Sequence, residues 1–525
     1  MKLTILCFLF VGQLIGQTYV SQSGGAFSGG SSCNGKTAIS VAAFNASAPT
    51  GGQYYLCGTV TSQVKINGSG SSGTPLVFTF DVGASITLPA CDNTNGCLNV
   101  AGKSYIIVDG GTPCGPGTAC STALTGTGII QETANGSGLA NQQNSIAIQA
   151  TGGCTNCEFR NLIIGPLYQH TSPTDVFPFV ADGAIYMNGC NGCTTKIHDS
   201  TIHDMSAGLN YLPASAGDSG LQFYNMYMYN YNGGINLAAS ESSEILSGAS
   251  IHNSYFGSTA NWDAPLSGGS CKYHHDGIHA WGEFGGEVTG VQFYDNIVTG
   301  DYGGCPTGAI FFEGYTGNSN FYNNVFSTTY TTMSNGIVNI DGFNIGFYNN
   351  TILGALQPSD ICFVTGYGSD SSFVYTPSIS FENNILQNCH TLIEQTPAGG
   401  PVVMTAWDYN AYGNLPSLGT LVYNGSPYAS LAAWRTGCGN PTNGSCDHNS
   451  VIPSGGISAS LGLVGGIPSP GSPVVGVGVN LTALGLTGLN FDYTGTPRPA
   501  TGPWTIGAYQ NPPTILQGTW SGTNH

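Results

Sequence analysis

The chain has 525 residues, of which 79 are glycine and 27 are proline, and its formal net charge is −18. Only 7% of the side chains are charged, against roughly 25% in an ordinary soluble domain. Coiled coils, helical bundles and nucleic-acid-binding proteins need many charged side chains or a basic surface, so the composition excludes these classes. Because 41% of the residues are hydrophobic and 11% aromatic, the chain can bury a core. The composition predicts a β-rich, turn-rich protein.

The N-terminus has the features of a secretory signal peptide. Residues 1–16 carry one early lysine, an apolar run from Leu3 to Val11 and a small residue, Gly16. That run is too short for a stable transmembrane helix, and no later apolar run approaches membrane length. We therefore expect a signal peptide over residues 1–16 and a secreted mature protein with no membrane partner.

The cysteines indicate an oxidising compartment. Of 17 cysteines, Cys7 would leave with the signal peptide, which leaves an even number of 16. The Cys154/Cys157 and Cys190/Cys193 pairs match the half-sites of a four-thiolate zinc centre. We favour disulfides over zinc, as expected of an exported protein. The other cysteines at short spacings are Cys33/Cys57, Cys91/Cys97, Cys114/Cys120, Cys271/Cys305, Cys362/Cys389 and Cys438/Cys446.

A short motif recurs along the chain, in which an aromatic or aliphatic residue is followed by a polar pair. The intervals between successive copies are 38, 26, 28, 42, 28, 26 and 34 residues. Irregular intervals above a floor in the twenties are typical of a solenoid, in which coils of constant cross-section carry loops of variable length. The copies begin at Phe159, Ile197, Phe223, Ile251, Phe293, Phe321, Phe347 and Phe381.

The coils are predicted to consist of strands, because their apolar runs are short and alternating and lack helical periodicity. Stacked strands of this kind form a parallel β-helix, so we predict an all-β fold. Asparagines at one level would form a hydrogen-bonded ladder between coils, and phenylalanines would stack inside. His198 and His252 would share the outer, stacked position of the tyrosines. The ladder, core and outer positions are Asn296, Asn324, Asn350 and Asn384; Phe293, Phe321, Phe347 and Phe381; and Tyr294, Tyr322 and Tyr348.

With these features the sequence resembles the right-handed parallel β-helix proteins of the pectin-lyase-like superfamily. The segments TYVSQSGG (18–25) and FDYTGTPRPATGPWTIGAYQ (491–510) are similar to the opening strand and closing segment of bacterial members. The resemblance implies a right-handed parallel β-helix solenoid. Since many members are secreted carbohydrate-active enzymes, it also implies a polysaccharide partner. It selects no single activity, because the fold carries lyases, hydrolases, epimerases and adhesins.

We expect a single, monomeric domain over residues 17–510. Residues 17–100 would form the N-terminal cap and first coils, residues 101–400 the regular coils and residues 401–510 a closing region. Residues 511–525 would form a flexible tail.

A second recurring strand predicts a binding face. Alternation places one set of its residues inside the solenoid and the other set on the surface, in two exposed columns. The inward residues are Ile185, Met187, Ile235, Leu237, Ile278, Ala280, Ile310, Phe312, Val338 and Ile340. The outward residues are Tyr186, Asn188, Asn236, Ala238, His279, Trp281, Phe311, Glu313, Asn339 and Asp341.

The two longest intervals place their extra residues just before this strand. The first insertion, 168–179, leads into Asp182. Both insertions would overhang the outward columns and form a groove. The second insertion, 261–281, supplies Trp262, Asp263, His274, His275 and Asp276.

The residue types on this face suit glycoside hydrolysis. Glu313 and Asp341 would lie one coil apart, with carboxyls about 5–6 Å from each other. Two carboxyls at that range acquire different pKa values and favour a retaining mechanism. His279, His275 or Asp276 could instead carry the proton. The residues assigned to substrate binding, by stacking or by hydrogen bonds, are Trp281, Phe311, Asn236, Asn339, Tyr186 and Trp262.

Several alternatives stay open at this stage. The segment HHDGIH could hold Ca²⁺ or another divalent metal, although only alternate residues of a strand face the same way, so no cofactor is assigned. A metal-assisted polysaccharide lyase or epimerase would use His275 or His279 as its base. A non-catalytic adhesin or surface protein would use the coils as a rigid rod. Since only Lys272 is basic near the groove and the net charge is −18, we expect a neutral or weakly charged glycan.

Overall fold

The computed structural model describes a solenoid of short strands. The residues that it describes are 16–113, 115, 128–135, 143–167, 183–188, 194–213, 216–259, 275–304, 306–330, 336–355, 361–365, 376–395, 402–414, 421–423, 426–438 and 446–510. The predicted signal peptide, except Gly16, and the predicted tail, 511–525, fall outside these residues.

Each regular coil contributes one strand to each of three walls. The first wall is a 15-stranded sheet. Its only antiparallel pairing among the described residues joins Ser23–Ala26 to Thr37–Ser40. The first-wall strands are Thr18–Ser21, Ser23–Ala26, Thr37–Ser40, Gly52–Leu56, Leu76–Phe80, Ile106–Asp109, Glu158–Arg160, Thr195–His198, Leu221–Tyr224, Ser250–His252, Gln292–Tyr294, Asn320–Tyr322, Ile345–Tyr348, Ser378–Glu382 and Val403–Asp408.

The second and third walls belong to one 23-stranded sheet. They are joined because two long strands, Thr201–Leu212 and Tyr227–Ala239, continue around the corner between them. The other second-wall strands are Thr59–Val60, Ser85–Leu88, Gly128–Glu132, Leu162–Ile164, Tyr255–Phe256, Ile297–Asp301, Val325–Thr329, Thr351–Leu353, Ile385–Gln387 and Ala411–Gly413. The other third-wall strands are Val64–Lys65, Leu98–Asn99, Ile146–Ala150, Gly183–Asn188, His275–Gly282, Pro306–Gly314, Val338–Ile340, Ile361–Thr365, Thr391–Gln395, Leu421–Tyr423 and Ser426–Tyr428.

The remaining elements are small. Two short α-helices, Val41–Ala46 and Leu431–Gly437, each begin after a serine whose hydroxyl accepts a backbone N–H at 3.1 Å, which satisfies one of the free donors of the first turn. No helix in the described part of the chain is long and apolar enough to cross a membrane. The other elements are a four-stranded sheet (Ala216–Ser219, Ile245–Ser247, Glu287–Thr289, Thr316–Gly317), a strand pair (Leu463–Val464, Ile467–Pro468) and 3₁₀ turns at Thr482–Leu484 and Thr487–Asn490.

The recurring motif forms the end of each first-wall strand and the turn that follows it. Its phenylalanines lie inside, in register from coil to coil, and their ring centroids are 6.2, 6.1 and 5.2 Å apart from Phe293 to Phe381. The predicted inward residues of the third wall are buried as well. The sequence prediction of an all-β, right-handed parallel β-helix solenoid is therefore confirmed.

The predicted asparagine ladder is also confirmed. The side-chain Nδ2 donates to the next Oδ1 at 3.1 Å from Asn296 to Asn324, at 2.9 Å from Asn324 to Asn350 and at 3.2 Å from Asn350 to Asn384. The ladder continues to Asn410 at 3.3 Å. These amides are fully buried and also bond to backbone groups, so they satisfy the turn interior without any charge.

The residue before each ladder asparagine adopts a left-handed backbone. Asp295, Asn323, Asn349 and Asn383 have φ values of 54°, 57°, 51° and 59°. Asn and Asp tolerate this region better than other residues with a side chain. The polar pair of the motif therefore has two separate tasks: its first member turns the chain, and its second member bridges the coils.

Stacked rings line the outer side of the first wall, as predicted for His198 and His252. The ring centroids lie 4.6 Å apart between His198 and Tyr224, 5.1 Å between Tyr224 and His252, and 4.7 Å between His252 and Tyr294. These histidines are thus explained by ring stacking between coils.

The described residues contain five disulfides. The Cys154–Cys157 pair is one of them, so this pair is not a zinc half-site. The predicted Cys190/Cys193, Cys114/Cys120 and Cys271/Cys305 pairs lie wholly or partly outside the described residues. The other four disulfides are Cys33–Cys57, Cys91–Cys97, Cys362–Cys389 and Cys438–Cys446.

The C-terminal part of the chain runs back along the outside of the coils. Leu481, Leu489 and Trp504 pack against the outward tyrosines Tyr322 and Tyr348. The left-handed asparagines of the turns donate from Nδ2 to backbone carbonyls of this segment, at distances of 2.8 to 3.1 Å. This segment therefore covers the turns that follow the first-wall strands. These contacts do not involve the third wall.

Candidate functional site

The third wall brings the predicted site residues of successive coils into register. Asn236 lies beside His279, which lies beside Phe311. Two residues further along the same strands, Trp281 lies beside Glu313. Neighbouring strands are about 4.8 Å apart, so these outward side chains are direct neighbours.

The centre of the site is a hydrogen bond between His279 and Glu313. The imidazole Nε2 lies 3.0 Å from Glu313 Oε1. The Glu313 side chain is 33% exposed and that of His279 is 13% exposed, so solvent reaches the carboxyl more readily than the ring. The two side chains point to the same side of the wall, as the alternation of the sequence predicts.

A second carboxyl lies on the other side of the imidazole ring. Asp276 Oδ2 is 3.6 Å from His279 Nδ1, and the Asp276 side chain is only 2% exposed. The Thr307 hydroxyl donates to Asp276 Oδ1. The order Asp276, His279, Glu313 therefore runs from the interior to the surface.

Two aromatic rings flank the imidazole. The ring centroids of Trp281 and Phe311 lie 4.4 and 4.8 Å from that of His279. Trp281 is half-buried, so it keeps an accessible surface beside the partly exposed Glu313 carboxyl. An accessible indole can pack on the apolar face of a sugar ring.

Amide side chains continue the outward column away from His279. Asn236 Nδ2 donates to Asn210 Oδ1 at 2.7 Å, and Tyr186 follows in register after Asn210. Both predicted residues, Asn236 and Tyr186, are half-buried on this face. Sequence reasoning missed Asn210, although Gly208 precedes Leu209 and Asn210 as Gly234 precedes Ile235 and Asn236, so the segment GLNYL (208–212) carried the signal of the repeat.

The prediction of two exposed columns is wrong at four residues. Ala238 and Asn339 are 0% exposed, Asp341 is 2% exposed and Phe311 is 4% exposed. Phe311 is covered because His279 and Asn339 lie in register on either side of it. Both amide atoms of Asn339 are buried without a hydrogen-bond partner. Such an amide is costly unless a ligand satisfies it.

Asp341 occupies the position next to Glu313 that its place in the repeat predicts. Its N–H donates to the Phe312 carbonyl at 2.9 Å, which continues the wall beyond the strand Val338–Ile340. Its carbonyl accepts the Thr316 hydroxyl at 2.6 Å. This turn draws Asp341 against the preceding coil, which accounts for its burial.

The predicted positions of His275 and Asp276 also need correction. Neither residue belongs to an overhanging loop, because the strand begins at His275 and both side chains are buried. His275 Nδ1 lies 2.9 Å from the Tyr302 carbonyl oxygen. His275 therefore belongs to the core, and we do not propose it as a base.

Part of the predicted groove lies outside the described residues. This holds for Trp262, Asp263 and His274, for Asp182 and for the insertion 168–179. Among the residues that are described, no three His, Cys, Asp or Glu side chains are arranged to hold a metal ion. A Ca²⁺ site on the HHDGIH segment stays an untested prediction, since His274 is not included.

Comparisons with solved structures support the fold. The chain aligns with XylC, whose structure is a complex with xylose, over 94% of this chain and 98% of that one, with 11% identity and a TM-score of 0.53. The chain is a right-handed parallel β-helix. At this identity the likeness concerns the fold alone.

Two other solved structures match less well. The GH136 lacto-N-biosidase from Eubacterium ramulus has 12% identity, with 83% of this chain and 67% of that chain covered and a TM-score of 0.38. The pectate lyase Pel9A has 12% identity, with 94% and 96% covered and a TM-score of 0.35. No protein-family model and no curated protein matches the sequence.

Proposed function

We propose that the protein is a secreted glycan-active enzyme, specifically a glycoside hydrolase whose site is the Glu313 region of the third wall. The observation that carries the proposal is the 3.0 Å contact between Glu313 and His279. It lies beside Trp281, whose strand pairs Trp281 with Glu313. A carboxyl that contacts a second titratable group next to an aromatic ring is suited to general acid catalysis on a sugar.

In this proposal Glu313 is the acid and base, and Asp341 is the second carboxylate. Asp341 would attack the anomeric carbon while Glu313 gives its proton to the glycosidic oxygen, and the bond from carbon to that oxygen breaks. Water would then attack the same carbon, return a proton to Glu313 and release Asp341. Because Asp341 is almost fully covered, it would act from the floor of the site.

Substrate contacts follow from the side chains around these two carboxyls. Trp281 would pack on a sugar ring, whereas Asn339 is 0% exposed and would not contact the sugar directly. Asn236 and Tyr186 lie further along the same column and would contact a neighbouring sugar. Phe311 is too deeply buried for direct stacking and instead supports the His279 ring.

The charge of the protein favours a neutral or weakly charged glycan. The net charge is −18, which repels a polyanion. In the described part of the chain Arg160 lies on the first wall, while Arg435 and Arg498 bond to the closing region. None of these three lies on the third wall, and Lys65 of that wall pairs with Asn99 in the first coils and not with the strands of the Glu313 region, where a uronate carboxylate would need a cation. The five disulfides fit the proposed secretion.

The test is the product formed from a panel of neutral and uronate polysaccharides. A glycoside hydrolase releases new reducing ends, and Glu313→Gln should lower kcat/KM on the cleaved substrate by about 10²- to 10⁴-fold, because it removes the transferable proton. The matched control is Glu241→Gln, a substitution of the same kind at an exposed position outside the site.

Other outcomes would contradict the proposal in distinguishable ways. Products that absorb as unsaturated uronates would identify a lyase, with His279 as the base. Binding without turnover would identify an adhesin. Full activity of both Glu313→Gln and Asp341→Asn would remove the two carboxylates from the mechanism.

A further inference from the structure

A pair of buried phenols lies inside the solenoid beside the strand that carries His279, since the Tyr302 carbonyl oxygen is 2.9 Å from Nδ1 of His275 in that strand. Tyr231 and Tyr302 are fully buried, and their hydroxyl oxygens are 2.8 Å apart. Burial and, to a smaller extent, the negative charge of Asp276 raise the pKa of both phenols. The other inward positions of this strand, Ile278 and Ala280, are apolar. Buried polar groups are costly in such a core unless they form a connected network.

Asp276 is the buried carboxyl that reaches the site. By simple alternation it shares the inward side with Ile278, while His279 faces outward. The pairing with the next strand shifts its register between His275 and Asp276, and irregularities of this kind re-aim side chains. The carboxylate is thereby held with Oδ1 at the Thr307 hydroxyl and Oδ2 at 3.6 Å from His279 Nδ1.

We propose that Asp276 is a positioning residue that fixes the ring orientation and tautomer of His279 from the buried side, with the Thr307 hydroxyl as its support. A carboxylate next to Nδ1 favours the tautomer with the proton on that nitrogen. The lone pair of Nε2 then faces Glu313 and accepts a hydrogen bond from its protonated carboxyl, which keeps the proton that it gives to the glycosidic oxygen. The inference depends on the proposed function in one respect only: the proposed function identifies the glycosidic oxygen as the group that receives the Glu313 proton.

Asp276 and Glu313 are titratable groups that contact the His279 ring, and Trp281 and Phe311 pack against it. Around Asp276 the neighbouring titratable groups are Tyr231, Tyr302, His275 and His279. An Asp276 substitution therefore acts on His279, because Asp276 lies at Nδ1 whereas Glu313 lies at Nε2.

The decisive experiment measures by NMR which nitrogen of the His279 imidazole carries the proton. The full chain would be labelled with ¹⁵N-histidine, and the His279 ring signals would be assigned by comparison with His279→Gln. We expect the wild-type ring to carry its proton on Nδ1, and Asp276→Asn to move it to Nε2. Unchanged His279 shifts in Asp276→Asn would overturn the inference, whatever the protein turns over.

A kinetic experiment separates this inference from the proposed function. On the polysaccharide that the wild type cleaves, Asp276→Asn should lower kcat about 10- to 100-fold with KM unchanged, whereas the exposed control Asp301→Asn should change neither. A raised KM with unchanged kcat would contradict positioning. If the ring signals change but no variant or wild type cleaves any glycan, the proposed function fails and the positioning of His279 stands.

A second variant covers the case in which Asp276→Asn does not fold. Thr307→Val keeps the shape of a half-buried side chain and removes only the hydroxyl that donates to Asp276. It should shift the His279 ring signals in the same direction by a smaller amount. Wild-type signals in this variant would overturn the role of Thr307 as a support of Asp276.

Discussion

At the scale of single residues, burial decides what each carboxyl of this sparsely charged chain does. Burial raises the pKa of Glu132 and of Asp295 to about 7 in each case. The opposite holds on the first wall, where the hydrogen bond from His198, and then the charge of Arg160, lower the pKa of Glu158 to about 2. A carboxyl whose pKa is raised by burial destabilises the folded state when it ionises. A carboxyl whose pKa is lowered stabilises the folded state when it ionises.

Glu132 offers a direct test, because its side chain is 5% exposed and one carboxyl oxygen has no hydrogen-bond partner. Its pKa rises from 4.5 to about 7 on folding, so its protonated form is favoured in the folded state. Stability is therefore fully present below pH 4.5 and is lost as the pH rises towards 7. The loss is on the order of 3 kcal/mol, since one pKa unit corresponds to about 1.4 kcal/mol.

Glu132→Gln should remove this loss, because the amide resembles the protonated carboxyl and still accepts the Cys91 N–H at Oε1. We expect the variant to be more stable than the wild type at pH 8 and similar to it at pH 4, as measured by denaturant unfolding. The exposed variant Glu241→Gln should follow the wild type at both values. A difference between Glu132→Gln and the wild type that is equal at both pH values would contradict the linkage.

At the scale of elements, the turn after each first-wall strand is the unit that the repeat encodes. Its inward phenylalanine fills the core, its left-handed residue reverses the chain, and its buried asparagine ties one coil to the next. Each side-chain amide of the ladder meets the amide before it and the amide after it, which is why irregular loops elsewhere do not disturb the stacking. The ladder should therefore carry a large share of the local stability.

Asn350→Ala tests this contribution. Asn350 Oδ1 accepts from Asn324 N and Nδ2 at 3.0 and 2.9 Å, and its own Nδ2 donates to the Phe321 carbonyl at 2.9 Å. The substitution leaves these buried groups unsatisfied, at about 1–3 kcal/mol for each. We expect a loss of about 3 kcal/mol or more in the free energy of unfolding, measured in urea.

Asn34→Ala is the matched control. Asn34 makes one exposed hydrogen bond, from Gly29 N at 3.3 Å, so it should cost under about 0.5 kcal/mol. Equal losses in Asn34→Ala and Asn350→Ala would show that the ladder amides contribute no more than surface residues do.

The repeat made the strands, the ladder and the register of the site predictable, because each depends on positions that recur in every coil. His279 and Glu313 were expected on one side of the wall and lie there. Burial was less predictable: Asn339 and Asp341 lie on the outward side by alternation, yet neighbouring coils and a turn cover them. The buried position of Asp276 next to His279 could not be predicted from alternation, because the register shifts at that residue. Local sequence carries no signal for such a shift.

At the scale of the whole molecule, the closing region joins distant parts of the chain through buried charge. Arg498 is 5% exposed and donates to Asn323 Oδ1 at 2.8 Å and to Gln510 Oε1 at 3.2 Å. Burial lowers its pKa to about 10, although the charges of Asp492 and Asp295 act in the opposite direction. The segment that covers the tyrosine column is thus fastened to a turn in the middle of the solenoid.

The balance between carboxyls with a raised pKa and carboxyls with a lowered pKa predicts how the stability of the whole protein depends on pH. Burial raises the pKa of Glu382 to about 7, as it does for Glu132 and Asp295. All three carboxyls stabilise the folded state at low pH, and this contribution to the free energy of unfolding is lost as the pH rises through 7. Glu158 acts in the other direction, but its contribution is complete above pH 4.5 and is lost only as the pH falls towards 2.

We therefore expect maximal stability near pH 4–5 and a decline towards pH 8, with a decrease in Tm on the order of 5 °C between pH 5 and pH 8. Differential scanning calorimetry across this range measures it. The net charge of −18 adds surface repulsion in the same direction, but 1 M NaCl screens that part and leaves the buried carboxyls unaffected. A decline that persists in 1 M NaCl identifies the buried acids as its cause. A Tm that rises from pH 5 to pH 8 would show that these carboxyls are ionised and paired in the folded protein.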